Sequence, residues 1–179
     1  ALDGASFWCG MSFFSSTIIL PLFVSHFTDS PLAIGLIPFL GWAGALLPPM
    51  FMANRVERAP LKKFFPVTLG FFAERLPLLL LAPLTYLLAG SQPLLTLGIF
   101  FALYTWNNIG SGLVTVGWQD MIAKVIPVEK RGRFFGITHF IGTSTGILGA
   151  LAVPLVLNQF GFPLGFVLSF AAAGGLIFI

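Results

Sequence analysis

The segment "QDMIAKVIPVEKRGRFFG", residues 119–136, holds six of the fifteen charged residues of a 179-residue chain. The six are Asp120, Lys124, Glu129, Lys130, Arg131 and Arg133. Charged residues make up 8% of the whole chain, whereas a soluble domain carries about 25%. Long apolar runs flank the segment on both sides, so we interpret it as a polar connector between membrane-spanning helices.

The composition argues against a water-soluble fold. Hydrophobic residues make up 57% of the chain, and 21 of them are phenylalanine. A soluble domain of this size leaves roughly 30% of its surface in water, so lipid is the better solvent for these residues. The net charge of +3 does not predict nucleic-acid binding, because the basic residues lie between apolar runs. The single cysteine, Cys9, cannot form an intrachain disulfide, so cysteine usage does not indicate the redox compartment of the protein.

Apolar runs predict an all-α polytopic membrane protein. A helix needs ~20 residues to cross ~30 Å of hydrocarbon, and six runs are long enough. The predicted helices are 4–27, 31–53, 64–89, 94–122, 134–157 and 162–179, forming one bundle over residues 1–179. Helices are preferred over barrel strands because these runs are too long and too uniformly apolar to alternate.

The distribution of Lys and Arg predicts the orientation in the membrane. Eight of the nine basic residues lie in the connectors that follow the second and fourth predicted helices, and Arg75 is the exception. Lys and Arg are retained on the cytoplasmic side of a membrane. We therefore expect both connectors and the N-terminus to be cytoplasmic.

Two connector motifs carry a family resemblance. Residues 126–136, "IPVEKRGRFFG", and residues 50–58, "MFMANRVER", resemble the connectors of the N-terminal half of a major facilitator superfamily transporter. The family pattern for the second is Gly-x-Leu-Ala-Asp-Arg-x-Gly-Arg. Ala53, Arg55 and Arg58 match it.

Two further motifs match the family in part. Residues 142–150, "GTSTGILGA", resemble the glycine-rich antiporter motif of the family, with Ile147 where that motif has a proline. In "WNNIGSG", residues 106–112, Trp106 stands where many proton-coupled members have an arginine.

The resemblance implies a secondary active transporter of the bacterial inner membrane, without a cofactor and without enzymatic activity. Its six helices would form two inverted three-helix repeats, and a C-terminal six-helix half of the same chain would be their partner. The other expected partners are the lipid bilayer, a small-molecule substrate and a coupling proton. The chain begins at Ala1 and ends in the apolar run "GGLIFI", so we expect it to be part of a longer protein.

Two other functional classes stay open. One is a non-transporting membrane scaffold or assembly subunit. The other is an intramembrane enzyme that would use Cys9 as nucleophile and His139 as base, although no third catalytic group is evident. The sequence contains no metal-ligand spacing.

Polar residues recur near mid-membrane depth, ~10 residues into three of the predicted helices. They are Ser12, Ser15, Ser16, Asn107, Asn108, Thr143, Ser144 and Thr145. We predict that they line a substrate cavity, as midplane polar groups do in transporters. The alternative is that they bond carbonyls of their own helices and allow close packing. The lack of a fixed charge among them favours a neutral or amphiphilic substrate, such as a sugar or a drug.

Three ionisable residues lie within predicted helices. Glu74 and Arg75 interrupt the third, and His139 lies one to two turns into the fifth. Such groups are costly in lipid, so they either face a substrate or ion path or form buried ion pairs or hydrogen bonds between helices. A histidine there either shuttles protons or packs between helices. A further alternative for Glu74 and Arg75 is that the third helix begins late and they lie near the cytoplasmic face.

The resemblance also implies a charge network at the cytoplasmic face. In the superfamily, an acid at the end of the fourth helix pairs with the arginine that matches Arg58. This contact ties the second and fourth helices together in the outward-open state. We predict that Asp120 pairs with Arg58, with Arg55 or Arg131 as second partner. The alternative is that Asp120 is a solvated acid at a helix end.

Overall fold

The computed structural model describes residues 2–58 and 65–178, and every regular element in these ranges is helical. The elements are α1 (Leu2–Ser12), α2 (Ile19–Ser25), α3 (Pro31–Arg58), the π-helix π1 (Phe65–Arg75), α4 (Leu76–Leu88), α5 (Pro93–Val125), α6 (Val128–Phe160) and α7 (Leu164–Phe178). The predicted all-α class is confirmed.

Three helical segments in the described ranges are long and apolar enough to cross a membrane. They are Pro31–Met52, Val67–Leu88 and Val128–Phe160. Helix α5 has 33 residues and is therefore ~50 Å long, while α7 is a shorter apolar helix of 15 residues. These features indicate a membrane protein.

The first predicted helix, 4–27, is two helices in the structure. Residues 13–18 separate α1 from α2, and the N–H groups of Ile19 and Leu20 both donate to the Ser15 carbonyl, at 3.1 and 3.0 Å. Pro21 gives the physical reason, because its ring would clash with the Thr17 carbonyl in a continuous helix. A proline is tolerated in the first turn of a helix, where Pro21 now lies.

The fifth predicted helix begins earlier than expected. Helix α6 starts at Val128, directly after Pro127, so three of the four basic residues assigned to this connector, Lys130, Arg131 and Arg133, lie in its first two turns. The fourth, Lys124, lies in the last turn of α5. Ile126 and Pro127 are extended, as expected for a residue before proline and for proline itself. Only two residues therefore separate α5 from α6.

Two groups of helices make up the bundle. Helix α5 packs against α3, π1 and α4, while α1 packs against α6 and α7. Contacts between α4 and α7 join the two groups. An aromatic core fills the space where α2, α5 and α7 meet: the Phe23 ring lies 5.3 Å from Phe100 and 5.1 Å from Phe170, measured between centroids. Such distances suit offset and edge-to-face aromatic contacts.

Close helix crossings occur at glycines of α5 and its neighbours. The Cα of Gly110 lies against the backbone of Ala73 in π1, and a Cβ at Gly110 would overlap the Ala73 carbonyl. On the opposite side, a Cβ at Gly44 of α3 would lie 2.5 Å from the Asn108 Cβ. Small residues at such crossings let helix backbones approach closely in a membrane.

Gly110→Ala is expected to destabilise the bundle by about 1–3 kcal/mol, because α5 and π1 must separate to admit the methyl group. Gly98→Ala, on the same helix, is the matched control, since a Cβ there has no neighbour within 4 Å. Heating the purified proteins in detergent and measuring the soluble fraction gives the comparison. Equal midpoint temperatures for the two variants would contradict this packing.

Candidate functional site

Asn107 ties α5 to the π-helix. Its side chain is 5% exposed, and its Nδ2 donates a hydrogen bond of 2.6 Å to the Glu74 backbone carbonyl. Glu74 lies at the junction of π1 and α4, where the backbone hydrogen-bond pattern changes and leaves carbonyls available to side chains. Asn107 therefore bridges two helices at a point where the backbone needs a partner.

Asn108 points in a different direction. Its Nδ2 donates to the Tyr104 carbonyl one turn earlier, at 2.8 Å, and its Cβ lies in the space beside Gly44 of α3. Asn107 thus bonds π1, whereas the Asn108 amide bonds its own helix and only the base of its side chain packs against α3.

Tyr104 was not predicted as a site residue and anchors the same crossing. The buried phenol donates to the Ile37 carbonyl of α3 at 3.1 Å. The Tyr104 Oη also lies 3.0 Å from the position of a Cβ at Gly41. The signal in the sequence was the pair Gly41 and Gly44 in the second apolar run, which marks a face of α3 that another helix can approach closely.

The serines of the first segment lie on α1 and in the break. Ser12 Oγ donates to the Cys9 carbonyl at 2.6 Å, and the side chain packs on Gly146 and Gly149 of α6. Ser15 and Thr17 share a hydrogen bond of 3.0 Å, and Ser16 is exposed.

The three predicted residues of α6 are likewise either exposed or hydrogen-bonded within their own helix. Thr143 and Ser144 are exposed. Thr145 Oγ1 donates to carbonyls of its own helix, 2.9 Å to Ile141 and 3.0 Å to Gly142. The eight residues predicted as one polar belt thus lie in two places, on the α1–α6 side and around α5, and several of them bond their own helix.

An apolar groove of about 340 Å³ runs between α3 and α5. Its lining residues are Leu40, Ala43, Gly44, Leu47, Pro48, Phe51, Met52, Thr105, Ile109 and Leu113. Thr105 is the polar member of this lining, and Ile109, which follows Asn108 in the chain, also lines the groove. A groove of this character suits the hydrocarbon part of a ligand.

Three ionisable residues lie within the helices, and the contacts of two of them, Arg75 and His139, join neighbouring helices. Glu74 is 8% exposed, and Arg75 Nη1 reaches the Phe178 carbonyl of α7 at 3.5 Å. A cation at the last carbonyls of a helix is favourable. His139 is exposed, and its ring lies 5.3 Å from Trp8 of α1. Each of these contacts links two helices.

Part of the predicted charge network falls within the described side chains. Asp120 Oδ2 lies 3.1 Å from Lys124 Nζ, one turn along α5. Arg131 donates through Nε to the Ile126 carbonyl at 3.0 Å and through Nη2 to the Ala123 carbonyl. The described contacts of Arg131 thus hold the end of α5.

The side chains of Arg55 and Arg58 lie outside the described part of the structure. The pairing of Asp120 with Arg58 therefore stays a prediction. Among residues 2–58 and 65–178, no group of three or more His, Cys, Asp or Glu residues is positioned to hold a metal ion.

Comparison with protein-family models, with curated proteins and with solved structures finds no match to the chain.

Asn107→Ala is expected to destabilise the protein by about 1–3 kcal/mol, because it leaves a buried carbonyl without its donor. Asn108→Ala is the matched control, since its amide bonds only its own helix and its loss costs less. Thermal denaturation in detergent, followed by intrinsic fluorescence, measures the difference. A larger loss in Asn108→Ala would show that the contact with π1 does not hold the bundle.

Proposed function

We propose that the chain is the N-terminal six-helix half of a secondary active transporter of the major facilitator type. It moves a small molecule across a bacterial inner membrane by alternating access, with its N-terminus in the cytoplasm. The observation that carries this proposal is the symmetry of helix packing.

The packing supports two inverted three-helix repeats. The six segments are α1 with α2, then α3, then π1 with α4, followed by α5, α6 and α7. In an exchange of the two repeats, the first segment takes the place of the fourth, the second of the fifth and the third of the sixth. This exchange converts the α3–α5 contact into the α6–α1 contact, and the α4–α5 contact into the α7–α1 contact. The α4–α7 contact maps onto itself, and all five contacts are present. The α2–α3 and α6–α7 contacts are more extensive than their counterparts among the described residues, so the symmetry is approximate.

Residue positions support the same exchange. A Cβ at Gly10 of α1 would lie 2.9 Å from the Ala173 carbonyl of α7. Gly110 of α5 meets the Ala73 carbonyl of π1 in the same way. The two crossings are related by a shift of 100 residues: residue 10 corresponds to residue 110, and residue 173 corresponds to residue 73.

A second crossing follows nearly the same register. A Cβ at Gly142 of α6 would lie 2.6 Å from the Trp8 Cβ, and one at Gly44 of α3 would lie 2.5 Å from the Asn108 Cβ. In this pair of crossings, residue 8 corresponds to residue 108 and residue 142 corresponds to residue 44, which is two residues from a shift of 100. Agreement within two residues across four different segments is expected of a duplicated three-helix unit, which is the building block of many transporters.

The groove between α3 and α5 indicates the substrate class within this proposal. Its walls are hydrocarbon, with Thr105 and the neighbouring Asn108 as polar groups. A sugar needs several polar partners when it leaves water, whereas an amphiphilic drug-like molecule needs few. We therefore favour an amphiphilic substrate over a sugar.

The orientation is tested with single cysteines in a Cys9→Ser background. Glu129→Cys is expected to react with an impermeant maleimide only from the cytoplasmic side, because the neighbouring Lys and Arg residues favour that side of the membrane. Ser91→Cys and Gln159→Cys are expected to react only from outside. All three positions are exposed, so access to reagent does not limit the labelling. Labelling of Glu129→Cys from outside would contradict the orientation.

Transport is tested with the intact protein in liposomes that carry a pH gradient and a membrane potential. A fluorescent amphiphilic dye and a radiolabelled sugar serve as probes, and we expect gradient-driven movement of the dye. Asp120→Arg and Arg58→Asp are each expected to lose most of this activity, because a single change leaves one charge uncompensated. The double variant is expected to regain part of it.

Lys124→Gln is the control for the charge swap, because it removes the partner that lies 3.1 Å from Asp120 within α5. We expect it to retain more activity than Asp120→Asn. A swap without recovery, together with equal losses in Lys124→Gln and Asp120→Asn, would show that Asp120 acts only within its own helix. Correct orientation without movement of either probe would favour a scaffold or assembly subunit.

A further inference from the structure

An open groove of about 450 Å³ lies where α5 ends and α6 begins. Its lining residues are Val125, Ile126, Pro127, Lys130, Arg133, Phe134 and Ile137. The lining combines two cations with five apolar residues and contains no acid. A groove with this composition matches a ligand that is anionic at one end and apolar at the other.

The two cations of the groove differ from the arginine between them. Arg131 is committed to the carbonyls of Ile126 and Ala123. No ion pair joins Lys130 or Arg133 to another side chain in the described ranges. Both cations are exposed, so their charge is available to a ligand.

Helical spacing arranges the groove along the axis of α6. Lys130 and Arg133 are three residues apart, and Phe134 and Ile137 follow four and seven residues after Lys130. Positions with these spacings lie on one face of a helix. The face is therefore cationic in its first two turns and apolar in the next.

The length of α6 sets the depth of this face in the membrane. Its 33 residues extend over ~50 Å, whereas the hydrocarbon layer is ~30 Å thick. A helix centred on that layer extends ~10 Å beyond it at each end, which would place its first two turns among the headgroups and Ile137 where the acyl chains begin. Val125 and Val128 at the same end are 72% and 70% exposed, as expected for side chains that contact lipid.

We propose that this groove binds an anionic phospholipid, with the headgroup phosphate between Lys130 and Arg133 and an acyl chain along Phe134 and Ile137. Basic groups at the cytoplasmic surface attract anionic headgroups, and the apolar wall selects a lipid over a soluble phosphate. This site depends on the location of the protein in a membrane and does not depend on transport.

Native mass spectrometry of the intact protein in neutral detergent tests the site. Phosphatidylglycerol is titrated as the anionic probe, with phosphatidylcholine and glycerol 3-phosphate in separate arms. Removing a basic side chain near the surface costs roughly five-fold in affinity, so Lys130→Gln with Arg133→Gln is expected to weaken phosphatidylglycerol binding about 30-fold. Binding of phosphatidylcholine is expected to stay unchanged.

Lys124→Gln is the matched control, because Lys124 lies six residues before Lys130, pairs with Asp120 and does not line the groove. We expect a change of less than about two-fold. Lys130→Gln alone is expected to weaken binding about five-fold. An effect of Lys124→Gln as large as this would show general charge attraction and overturn the site. Size-exclusion profiles establish that each variant remains folded.

The apolar wall is tested separately with Phe134→Ala and Ile137→Ala. Both are expected to weaken phosphatidylglycerol binding several-fold, since each removes buried contact with the acyl chain. Displacement of phosphatidylglycerol by glycerol 3-phosphate at equal concentration, with no effect of either alanine variant, would overturn the proposal in favour of a soluble phosphate.

Discussion

The close passage of α5 between α3 and π1 is the contact on which the rest of the structure depends. Gly110 allows α5 to lie against the Ala73 backbone, and Gly44 gives α3 the same access on the other side. Helices in lipid gain little from burying apolar surface against each other, so close van der Waals packing and interhelical hydrogen bonds hold them together. The bonds from Asn107 to Glu74 and from Tyr104 to Ile37 form at these crossings.

Polar side chains in this bundle act mainly on backbone. Asn107, Tyr104 and Arg131 each reach a carbonyl of another element or of the connector, while Ser12 and Thr145 return to their own helices. A backbone group without a partner is costly in hydrocarbon. Irregular backbone therefore occurs where a side chain or a second N–H can complete its bonding, as at Glu74 and Ser15.

The sequence predicted the helical class because apolar runs of this length that do not alternate form helices in lipid. The break after α1 was missed, although Pro21 was a local signal for it. At α6 the error was the reverse, because a connector was predicted where the chain is helical. Lys130 and its neighbours were assigned to a loop because they are charged, but charged residues continue a helix readily after a proline. The role of Asn107 could not be predicted, because it depends on a carbonyl at the end of π1, and π-helices have no clear sequence signature.

The two-residue joint between α5 and α6 has a mechanical consequence. Ile126 and Pro127 are extended, and Arg131 fastens the first turns of α6 to the last carbonyls of α5. Helix α5 belongs to the group with α3, and α6 to the group with α1. A short connection held by these hydrogen bonds therefore joins the two groups, so a rotation of α5 about its own axis would carry the first turns of α6 with it.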